Sequence, residues 1–280
     1  MSKVFSLSPA KINLTLQVLK KRKDGYHEIY SIFQKIALFD EIEIEISPSF
    51  SLDFISEEEI PLEKNLLYRA WKLFQESFGI KSEIKIRVTK RIPIGAGLGG
   101  GSSNAGTLLK ILSKLFEIER EKVIFLAQRL GADVTFFVTD YFSAEARGIG
   151  EILRPYPSHP AYYLLLYPNF PINTAWAYKA LGLTKEKEAI IYKTFPAPWN
   201  QPQGLINDFK ELIYKHYPEY AVYEKILLEE GALAVNLTGT GSTIYGVFKE
   251  PPLKFLPGLK KFLKGVKIYL AKNLDNGGGI

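Results

Sequence analysis

The sequence has no cysteine, so disulfides, thiolate metal sites and cysteine nucleophiles are excluded together. Histidine is also scarce. The three residues His27, His159 and His216 never fall in an HxxxH or HExxH pattern, so no zinc site is predicted. No stretch approaches the roughly 20 apolar residues of a membrane span, and the first residues, MSKVFSLSPAKINL, lack the apolar run of a secretory signal. We expect a soluble, cytoplasmic protein without a membrane partner.

The composition is otherwise that of a globular protein, with 46% hydrophobic and 24% charged residues in a chain of 280. A chain of this length buries about three quarters of its unfolded surface, so a stable core is expected in one large domain or two ordinary ones. The net charge of +6 suits an anionic partner such as a nucleotide or a nucleic acid. It is small for this length and does not decide between them.

A proline-rich segment separates two halves of the sequence. Three of the residues from Arg154 to Pro160 are proline, a composition that disfavours regular structure. We place a domain boundary there, with an N-terminal domain over residues 1–155 and a C-terminal domain over residues 156–280. Both halves combine strand and helix patterns, so the predicted fold class is α+β.

The N-terminal half shows strand and helix periodicities. Residues 41–46 (EIEIEI) and 84–88 (IKIRV) alternate strictly between apolar and polar, which predicts strands of a largely antiparallel sheet. Apolar residues recur at helical spacing over residues 67–78, ending at Gly79, and again over residues 105–116. These two segments are predicted to be helices packed on the sheet.

The C-terminal half begins with residues 161–167 (AYYLLLY), a continuous apolar run suited to a buried strand, and two helices are predicted around residues 205–230. A hairpin follows, with arms at residues 232–237 and 243–248 joined by the turn TGTGS. Residues 266–271 predict a last strand. This half is therefore α+β as well.

A glycine-rich loop, PIGAGLGGGSSN at residues 93–104, lies between the 84–88 strand and the 105–116 helix. Glycines let backbone N–H groups converge on an anion without interference from Cβ atoms, and a helix start adds unpaired donors and the positive end of a dipole. The loop is therefore predicted to bind phosphate. Ser102 and Ser103 are placed to cap the helix, to contact phosphate oxygens or to hold Mg²⁺.

Two common phosphate-binding motifs do not fit this loop. Gly95, Gly97 and Gly100 formally match GxGxxG, but the strand before a Rossmann loop is a continuous apolar run, whereas residues 84–88 alternate. The Walker A pattern fails because Gly101-Ser102 stands where Lys-Ser/Thr is required. A flexible glycine linker is the alternative, although linkers are not usually framed so tightly by a strand and a helix.

Asp133 follows a helical stripe of apolar residues, 123–130, that ends at Gly131. This spacing predicts a carboxylate just beyond a helix C-terminus, where the negative end of the dipole disfavours it. An unfavourable placement suggests a functional role. A simple turn aspartate is the alternative.

Three segments in one order resemble the GHMP small-molecule kinases across nearly the whole chain: PAKINL at residues 9–14, PIGAGLGGGSSNAG at 93–106 and LTGTGSTIYGVF at 237–248. Further segments resemble those members of the family whose substrate is a cytidyl-linked methylerythritol of the non-mevalonate isoprenoid pathway. These are DGYHE at 24–28, GGG at 99–101, GADV at 131–134, GIGE at 148–151 and NDF at 207–209.

The resemblance implies an N-terminal domain like the second domain of ribosomal protein S5, a ferredoxin-like C-terminal domain, and transfer of the γ-phosphate of ATP, with Mg²⁺, to a substrate hydroxyl. It identifies Asp133 as the carboxylate that accepts the hydroxyl proton and Lys11 as the lysine that orients the hydroxyl and offsets charge on the transferring group. From the residues alone, Lys11 would be interpreted as a surface lysine. The nucleotide contacts implied are Asn65, Leu66, Lys90, Pro93, Ile94, Gly95, Ala96, Gly97, Leu98, Gly99, Gly100, Gly101, Ser102 and Ser103.

On the acceptor side, the resemblance implies that Tyr26 stacks on cytosine and that His27 hydrogen-bonds the edge of the base. Thr174 and Tyr178 correspond to a substrate-contacting threonine and a second aromatic on the other side of the base. Asn13 shares a strand face with Lys11 and joins the substrate contacts. An exposed hairpin tip is the alternative for residues 26 and 27, and a core position is the alternative for Tyr178. The sequence assigns no acidic Mg²⁺ ligand.

Two other functions stay open at this point. A GHMP kinase acting on mevalonate, phosphomevalonate or homoserine would have no cytosine for Tyr26 to stack on, so the DGYHE segment argues against it. An RNA-binding module is suggested by the S5-like domain and the net charge, but the aromatic residues fall mostly at core spacing rather than on a basic platform. We expect a small-molecule substrate, no nucleic acid, and a monomer or weak homodimer.

Overall fold

A computed structural model describes residues 3–57, 59–183 and 185–275. The predicted domains extend to residues 1 and 280, which lie outside this range. The strands are β1 (Val4–Lys21), β2 (His27–Ser47), β3 (Ser51–Ile55), β4 (Glu83–Thr89), β5 (Ser143–Arg147), β6 (Ile152–Pro155), β7 (Tyr162–Tyr167), β8 (Ala234–Leu237), β9 (Ile244–Phe248) and β10 (Lys267–Lys272). The helices are α1 (Leu66–Phe78), α2 (Gly100–Leu115), α3 (Arg120–Leu130), α4 (Ala132–Val138), α5 (Thr174–Leu181), α6 (Lys210–His216), α7 (Glu219–Glu229) and α8 (Leu256–Phe262), with 3₁₀ turns at Leu62–Lys64 and Pro198–Asn200.

The predicted α+β class is confirmed, and the described residues form two compact units. The first unit comprises residues up to 10, 38–94 and 99–141, and the second comprises residues 11–37, 95–98 and those from 142 onward. Each unit is thus assembled from several stretches of chain. The division into domains at residues 155 and 156 stays a prediction.

The first unit is built on the last residues of β2, which pair with β4. Apolar and polar residues alternate along both strands, so one face of the pair lies in the core. Ile44 of β2 lies opposite Ile86 of β4 in an antiparallel register, and β3 adds to β4 in parallel. The apolar stripe of α1 buries Leu67, Trp71 and Phe74 in the same core. The two strands and the helix therefore follow the predicted periodicities, and the parallel β3 is the exception to the antiparallel sheet.

Helix α1 has well-defined ends. The Asn65 side chain accepts a hydrogen bond from Leu67 N at 3.0 Å, which is the N-cap interaction that satisfies an otherwise unpaired first-turn donor. Gly79 ends the helix in the left-handed conformation, at φ +62°, that glycine adopts without strain. The predicted stop at this glycine is confirmed.

The second unit contains a four-stranded antiparallel sheet in the order β10-β7-β9-β8. Helices α5, α6 and α7 connect β7 to β8, a hairpin joins β8 to β9, and α8 connects β9 to β10. The strands β7 and β9, which are the first and third of this sheet in chain order, therefore lie at its centre, as in the ferredoxin-like arrangement that the resemblance implied. In the same unit, residues 31–34 of β2 pair with β5, and β5 pairs with β6.

The proline-rich segment differs in part from the expectation. Strand β6 includes Arg154 and Pro155, with Pro155 opposite Ala144 of β5. A proline has no N–H to donate, but β6 is an edge strand, where proline is tolerated, and the donor to β5 here is the next residue, Tyr156, whose N–H bonds Ser143 O at 3.1 Å. Residues 156–160 then lack regular structure, as expected. Within the described part of the chain, no helix has the length and apolar character that crossing a membrane requires.

Helices α2 and α4 pack closely at Gly106, which gives a stability prediction. A Cβ at this position would lie 2.6 Å from Phe137 Cβ and 3.2 Å from Val134 O, whereas a Cβ at Gly258 of α8 would meet nothing within 4 Å. We expect Gly106→Ala to lower the free energy of unfolding by about 1–3 kcal/mol. We expect the control Gly258→Ala to raise it by about 0.5–1 kcal/mol, because alanine is the better helix former. Urea unfolding followed by circular dichroism measures both, and equal gains would contradict the close packing.

Candidate functional site

The glycine-rich loop enters helix α2 earlier than the sequence predicts. The helix begins at Gly100, its N-cap is Gly99 at φ +70°, and no side chain caps it. The first N–H groups of a helix have no acceptor within the helix, and the dipole is positive at this end. Gly101 is exposed in this first turn. The start of α2 is therefore a donor-rich position suited to an anion.

The serines of the loop do not cap the helix, which corrects one expectation. Helix α2 already includes Ser102 and Ser103, so neither precedes its first turn. The Ser103 hydroxyl is fully buried, donates to Pro9 O at 2.5 Å and lies 2.7 Å from Ser8 Oγ. Its contacts in this structure hold α2 to β1. Ser102 is half-buried, and a phosphate contact by either serine stays a prediction.

The middle of the loop, residues 95–98, belongs to the second unit and lies against the 238–242 turn. Thr238 Oγ1 donates to Gly97 O at 2.9 Å, and Thr243 N donates to Ala96 O at 3.3 Å. A Cβ on Gly97 would lie 2.4 Å from Thr238 O and 2.7 Å from Gly241 O. The backbones of the loop and of the turn therefore approach each other closely at Gly97.

Lys11 and Asn13 of β1 lie side by side, as their shared strand face predicts. Lys11 is 4% exposed, and its ammonium donates to Asn13 Oδ1 at 2.7 Å and lies 5.3 Å from the centre of the Phe33 ring. The backbone of Lys11 donates to Leu98 O at 2.9 Å, which ties β1 to the glycine loop. Lys11 is therefore a buried lysine, unlike the surface residue that an isolated lysine in a strand would suggest.

The Asn13 side chain connects several elements of the second unit. Its Oδ1 accepts from Gly239 N at 2.9 Å in addition to Lys11, and it lies 3.3 Å from Thr238 Oγ1, whose proton goes to Gly97 O. Its Nδ2 donates to Ser31 Oγ at 2.8 Å, and Ser31 in turn donates to Thr15 O at 2.5 Å. Since the Ser31 proton is committed to Thr15, the hydroxyl accepts from Asn13 and fixes which way the amide points.

The aromatic residues predicted on the acceptor side lie in the second unit. The rings of His27 and Tyr178 are 4.9 Å apart between centroids, and Tyr178 also meets Phe209 edge-on at 4.9 Å. Tyr26 is 60% exposed at the turn that joins β1 to β2. Thr174 opens α5, with its hydroxyl 3.5 Å from that of Thr240. The structure thus brings His27 and Tyr178 together.

The electrostatics of His27 follow from its surroundings. Burial, with the positive charge of Lys21 as a second cause, lowers the pKa of His27 below its usual value. The imidazole is therefore neutral at pH 7. A neutral imidazole has one donor and one acceptor nitrogen, which suits the hydrogen bond to a base edge that the sequence predicts.

Lys90 is buried beneath the start of α2 in the first unit. Its ammonium pairs with the Asp40 carboxylate and donates to Asn104 Oδ1 at 3.0 Å. A Cβ on Gly100 would lie 3.1 Å from this ammonium. Burial lowers the pKa of Lys90, and Asp40 opposes that shift. Of the other predicted nucleotide contacts here, Asn65 caps α1, and Leu66, Pro93 and Ile94 are half-buried.

The position of Asp133 corrects the electrostatic argument made from the sequence. Helix α3 ends at Leu130 as predicted, but α4 begins at once, and Asp133 is in the first turn of α4. A carboxylate at a helix start interacts favourably with the dipole, so the expected penalty is absent. Asp133 is half-buried. Its predicted role now depends on the family resemblance and not on an unfavourable placement.

Sequence reasoning missed several polar residues around these positions. Asp40, Asn104 and Ser31 are each at most 1% exposed and bond to predicted site residues or their neighbours. Asp40 carried the only visible signal, a carboxylate placed between an apolar stretch and the alternating 41–46 strand. Among the described residues, no group of three or more histidine, aspartate or glutamate side chains is arranged to hold a metal ion.

Comparison with known proteins identifies relatives over most of the chain. Residues 65–140 match the family described as GHMP kinases N terminal domain, and residues 196–262 match GHMP kinases C terminal. A protein of Desulfotalea psychrophila named 4-diphosphocytidyl-2-C-methyl-D-erythritol kinase is 38% identical over 254 residues, which cover 87% of this chain and 85% of the relative. A protein of the same name from Thermosipho melanesiensis is 38% identical over 260 residues, covering 89% and 93%.

Solved structures give the same grouping. A crystal structure of 4-(cytidine 5'-diphospho)-2C-methyl-D-erythritol kinase matches with a TM-score of 0.80 and 29% identity, covering 98% of this chain and 100% of that one. The homoserine kinase of Cytophaga hutchinsonii matches with a TM-score of 0.67 and 16% identity, covering 98% and 95%. The second match reflects a shared fold alone.

The contact between Gly97 and the 238–242 turn gives the prediction for this site. Gly97 and Gly231 both have positive φ, +78° and +89°, so alanine strains the backbone at either position by about 1 kcal/mol. Only at Gly97 would the Cβ also collide with backbone, because nothing lies within 4 Å at Gly231. We expect Gly97→Ala to lower the free energy of unfolding by at least about 1–3 kcal/mol more than Gly231→Ala. Equal losses in denaturant unfolding would contradict the observed contact.

Proposed function

Because the chain belongs to the 4-diphosphocytidyl-2-C-methyl-D-erythritol kinase family of the GHMP kinases, we propose that it phosphorylates the 2-hydroxyl of 4-diphosphocytidyl-2-C-methyl-D-erythritol. GHMP kinases are phosphotransferases that use ATP as the phosphate donor. The reaction belongs to the non-mevalonate route to isoprenoid precursors. The observation that carries the proposal is the start of α2 inside a glycine run, with no side chain capping its first N–H groups.

The glycine loop fits the triphosphate of ATP. Side chains are absent at the positions where the backbone turns, with positive φ at Gly95, Gly97 and Gly99, so N–H groups can approach an anion closely. The first turn of α2 adds donors and a dipole of the right sign. When bound, ATP supplies the electrophilic γ-phosphorus and the ADP leaving group. Residues 93–103 would hold the phosphates, and Asn65, Leu66 and Lys90 are the proposed contacts toward adenosine.

Two residues are proposed to act on the acceptor. Asp133 accepts the proton of the 2-hydroxyl while the oxygen of that hydroxyl bonds to the γ-phosphorus. At the same time the bond between the γ-phosphorus and the β,γ-bridging oxygen breaks, and ADP leaves. Lys11 orients the hydroxyl and offsets negative charge on the transferring group. Its hydrogen bond to Asn13 Oδ1 and the Phe33 ring support this role, because they limit where the ammonium can lie. In a loose transition state, such positioning outweighs base strength.

Acceptor specificity is proposed to come from the second unit. His27 would hydrogen-bond the cytosine edge, and Tyr26 and Tyr178 would stack on its two faces. The exposed ring of Tyr26 and the contact between Tyr178 and His27 support this assignment. Asn13 and Thr174 complete the proposed contacts to the rest of the substrate.

Several further assignments belong to the same proposal. Mg²⁺ would enter with ATP, held mainly by its phosphates. We place the protein in the cytoplasm as a monomer or weak homodimer that binds no nucleic acid. We also retain a boundary between two family domains near residue 155, supported by family matches that end at residue 140 and resume at residue 196.

The role of Asp133 is tested by Asp133→Asn, which keeps the size of the side chain and removes its basicity. We expect kcat to fall by about 10²–10⁴-fold while ATP-analogue affinity stays within a factor of two. Asp53→Asn is the matched control, since Asp53 is half exposed on β3 and pairs with Arg87. Steady-state assay of ADP formation with the cytidyl acceptor measures kcat, and calorimetry measures binding. A kcat close to that of Asp53→Asn would remove Asp133 from this role.

The lowered pKa of His27 predicts how acceptor binding depends on pH. The neutral form persists to lower pH than for an ordinary histidine, so protonation occurs below about pH 6.5. We expect KM for the cytidyl acceptor to be constant from about pH 7 to 8. It should rise several-fold as the pH falls below about 6, because the imidazolium has no acceptor nitrogen.

His27→Gln is the control for this pH dependence, because glutamine offers a donor and an acceptor without titrating. Its KM should be higher than that of the wild type at pH 7 and should lack the rise on acidification. KM for ATP serves as the internal reference. If both proteins show the same acid dependence of acceptor KM, His27 does not contact the base.

A further inference from the structure

The Asp40 carboxylate, at the middle of β2, is buried and receives four hydrogen bonds. Its Oδ1 accepts from Arg91 N at 2.7 Å and from Ile92 N at 2.9 Å. Its Oδ2 accepts from Asn104 Nδ2 at 2.8 Å and from the Lys90 ammonium. Asp40 itself is 0% exposed. None of these contacts belongs to the pairing of β2 with its neighbouring strands, so the carboxylate has a separate role.

The four donors come from both ends of the glycine loop. Residues 90–92 lead into the loop directly after β4, and Asn104 is the last residue of the loop, in the second turn of α2. Asn104 is held further by its bond to Ser8 Oγ at 3.1 Å and by the Lys90 ammonium on its Oδ1. A single carboxylate therefore sets the spacing between the entry to the loop and the helix that follows it.

The chemistry of this position requires a carboxylate. A carboxylate offers about four lone-pair sites on two oxygens, which matches four donors. An asparagine would offer one oxygen with two sites, and its NH₂ group would face donors. The negative charge also matters, because Lys90 lies below the positive end of α2 and an unpaired buried ammonium there would be strongly unfavourable.

We propose that Asp40 is a positioning residue for ATP binding. It holds the 90–92 segment and α2 at the separation that directs the first N–H groups of the helix toward the phosphates. This inference rests on the proposed function, because it takes the loop to be the nucleotide site. Asp40 acts through Lys90, Asn104 and the backbone and does not contact the nucleotide.

The test uses Asp40→Asn, with Glu83→Gln as the matched control. Glu83 is also a carboxylate of the first unit, accepting from Trp71 Nε1 at 2.9 Å and Gln75 Nε2 at 3.1 Å, away from the loop. We expect Asp40→Asn to raise KM for ATP and the Kd of an ATP analogue by about 10- to 100-fold. KM for the cytidyl acceptor should stay within a factor of two. Glu83→Gln should lower stability without changing either ATP constant.

Hydrogen–deuterium exchange without any ligand separates this inference from the proposed function. Asp40→Asn should speed exchange at residues 99–104, and Glu83→Gln should not. If exchange is faster in Asp40→Asn but the wild-type protein binds no ATP analogue, the proposed function is overturned and the role of Asp40 in holding the loop stands. Unchanged exchange and unchanged ATP constants in Asp40→Asn would overturn the inference.

The double variant Asp40→Asn/Lys90→Met covers the case in which Asp40→Asn does not fold. It removes both buried charges together, so the cost of an unpaired ammonium disappears. Since Lys90 is itself a proposed nucleotide contact, hydrogen–deuterium exchange without ligand is the readout for this variant. We expect it to fold, with exchange at residues 99–104 still fast. Exchange as slow as in the wild type would overturn the inference, because the loop would then need no carboxylate.

Discussion

A glycine loop cannot hold its own shape, so its conformation depends on hydrogen bonds supplied by other parts of the chain. Glycine has the largest conformational entropy to lose on ordering, and it contributes no side-chain contacts. In the first unit, Asp40 binds the backbone just before the loop and the side chain of Asn104 at the end of the loop. In the second unit, Thr238 binds Gly97 O from outside. The flexibility of the glycine backbone, which would let a phosphate approach, is thus restrained by hydrogen bonds from buried polar groups.

The same principle places the lysine proposed for catalysis. Two donors converge on Asn13 Oδ1, the Lys11 ammonium and Gly239 N. The amide can accept them only while its NH₂ points to Ser31, whose own proton is used by Thr15. The direction of one amide therefore links the position of the Lys11 ammonium to a turn more than 200 residues away along the chain. The conformational entropy of the long Lys11 side chain is therefore lost on folding and not on substrate binding.

Sequence periodicity predicted the elements whose stability is local or repetitive. The alternation in residues 84–88 gave β4, and the apolar stripe before Gly79 gave α1 with its correct end. Sequence periodicity could not place Asp133, because a single glycine separates α3 from α4 and the short helix α4 has no periodicity of its own. Asp40 was missed for another reason: a buried carboxylate is justified only by partners 50 and more residues away. The resemblance supplied the candidate residues, and tertiary contacts supplied what holds them.

The pairing of Lys90 with Asp40 also bears on what would attract an anion to this loop, the proposed phosphate site. In a Walker A loop a lysine reaches the phosphates, and this sequence has none at that position. Lys90 lies under the start of α2, but its ammonium is buried against a carboxylate, so the pair as a whole is neutral. The positive potential then comes chiefly from the N–H groups and dipole of α2. Such a site has directional donors whose geometry depends on the backbone, which explains why the separation of residues 90–92 from α2 matters more here than an additional charge.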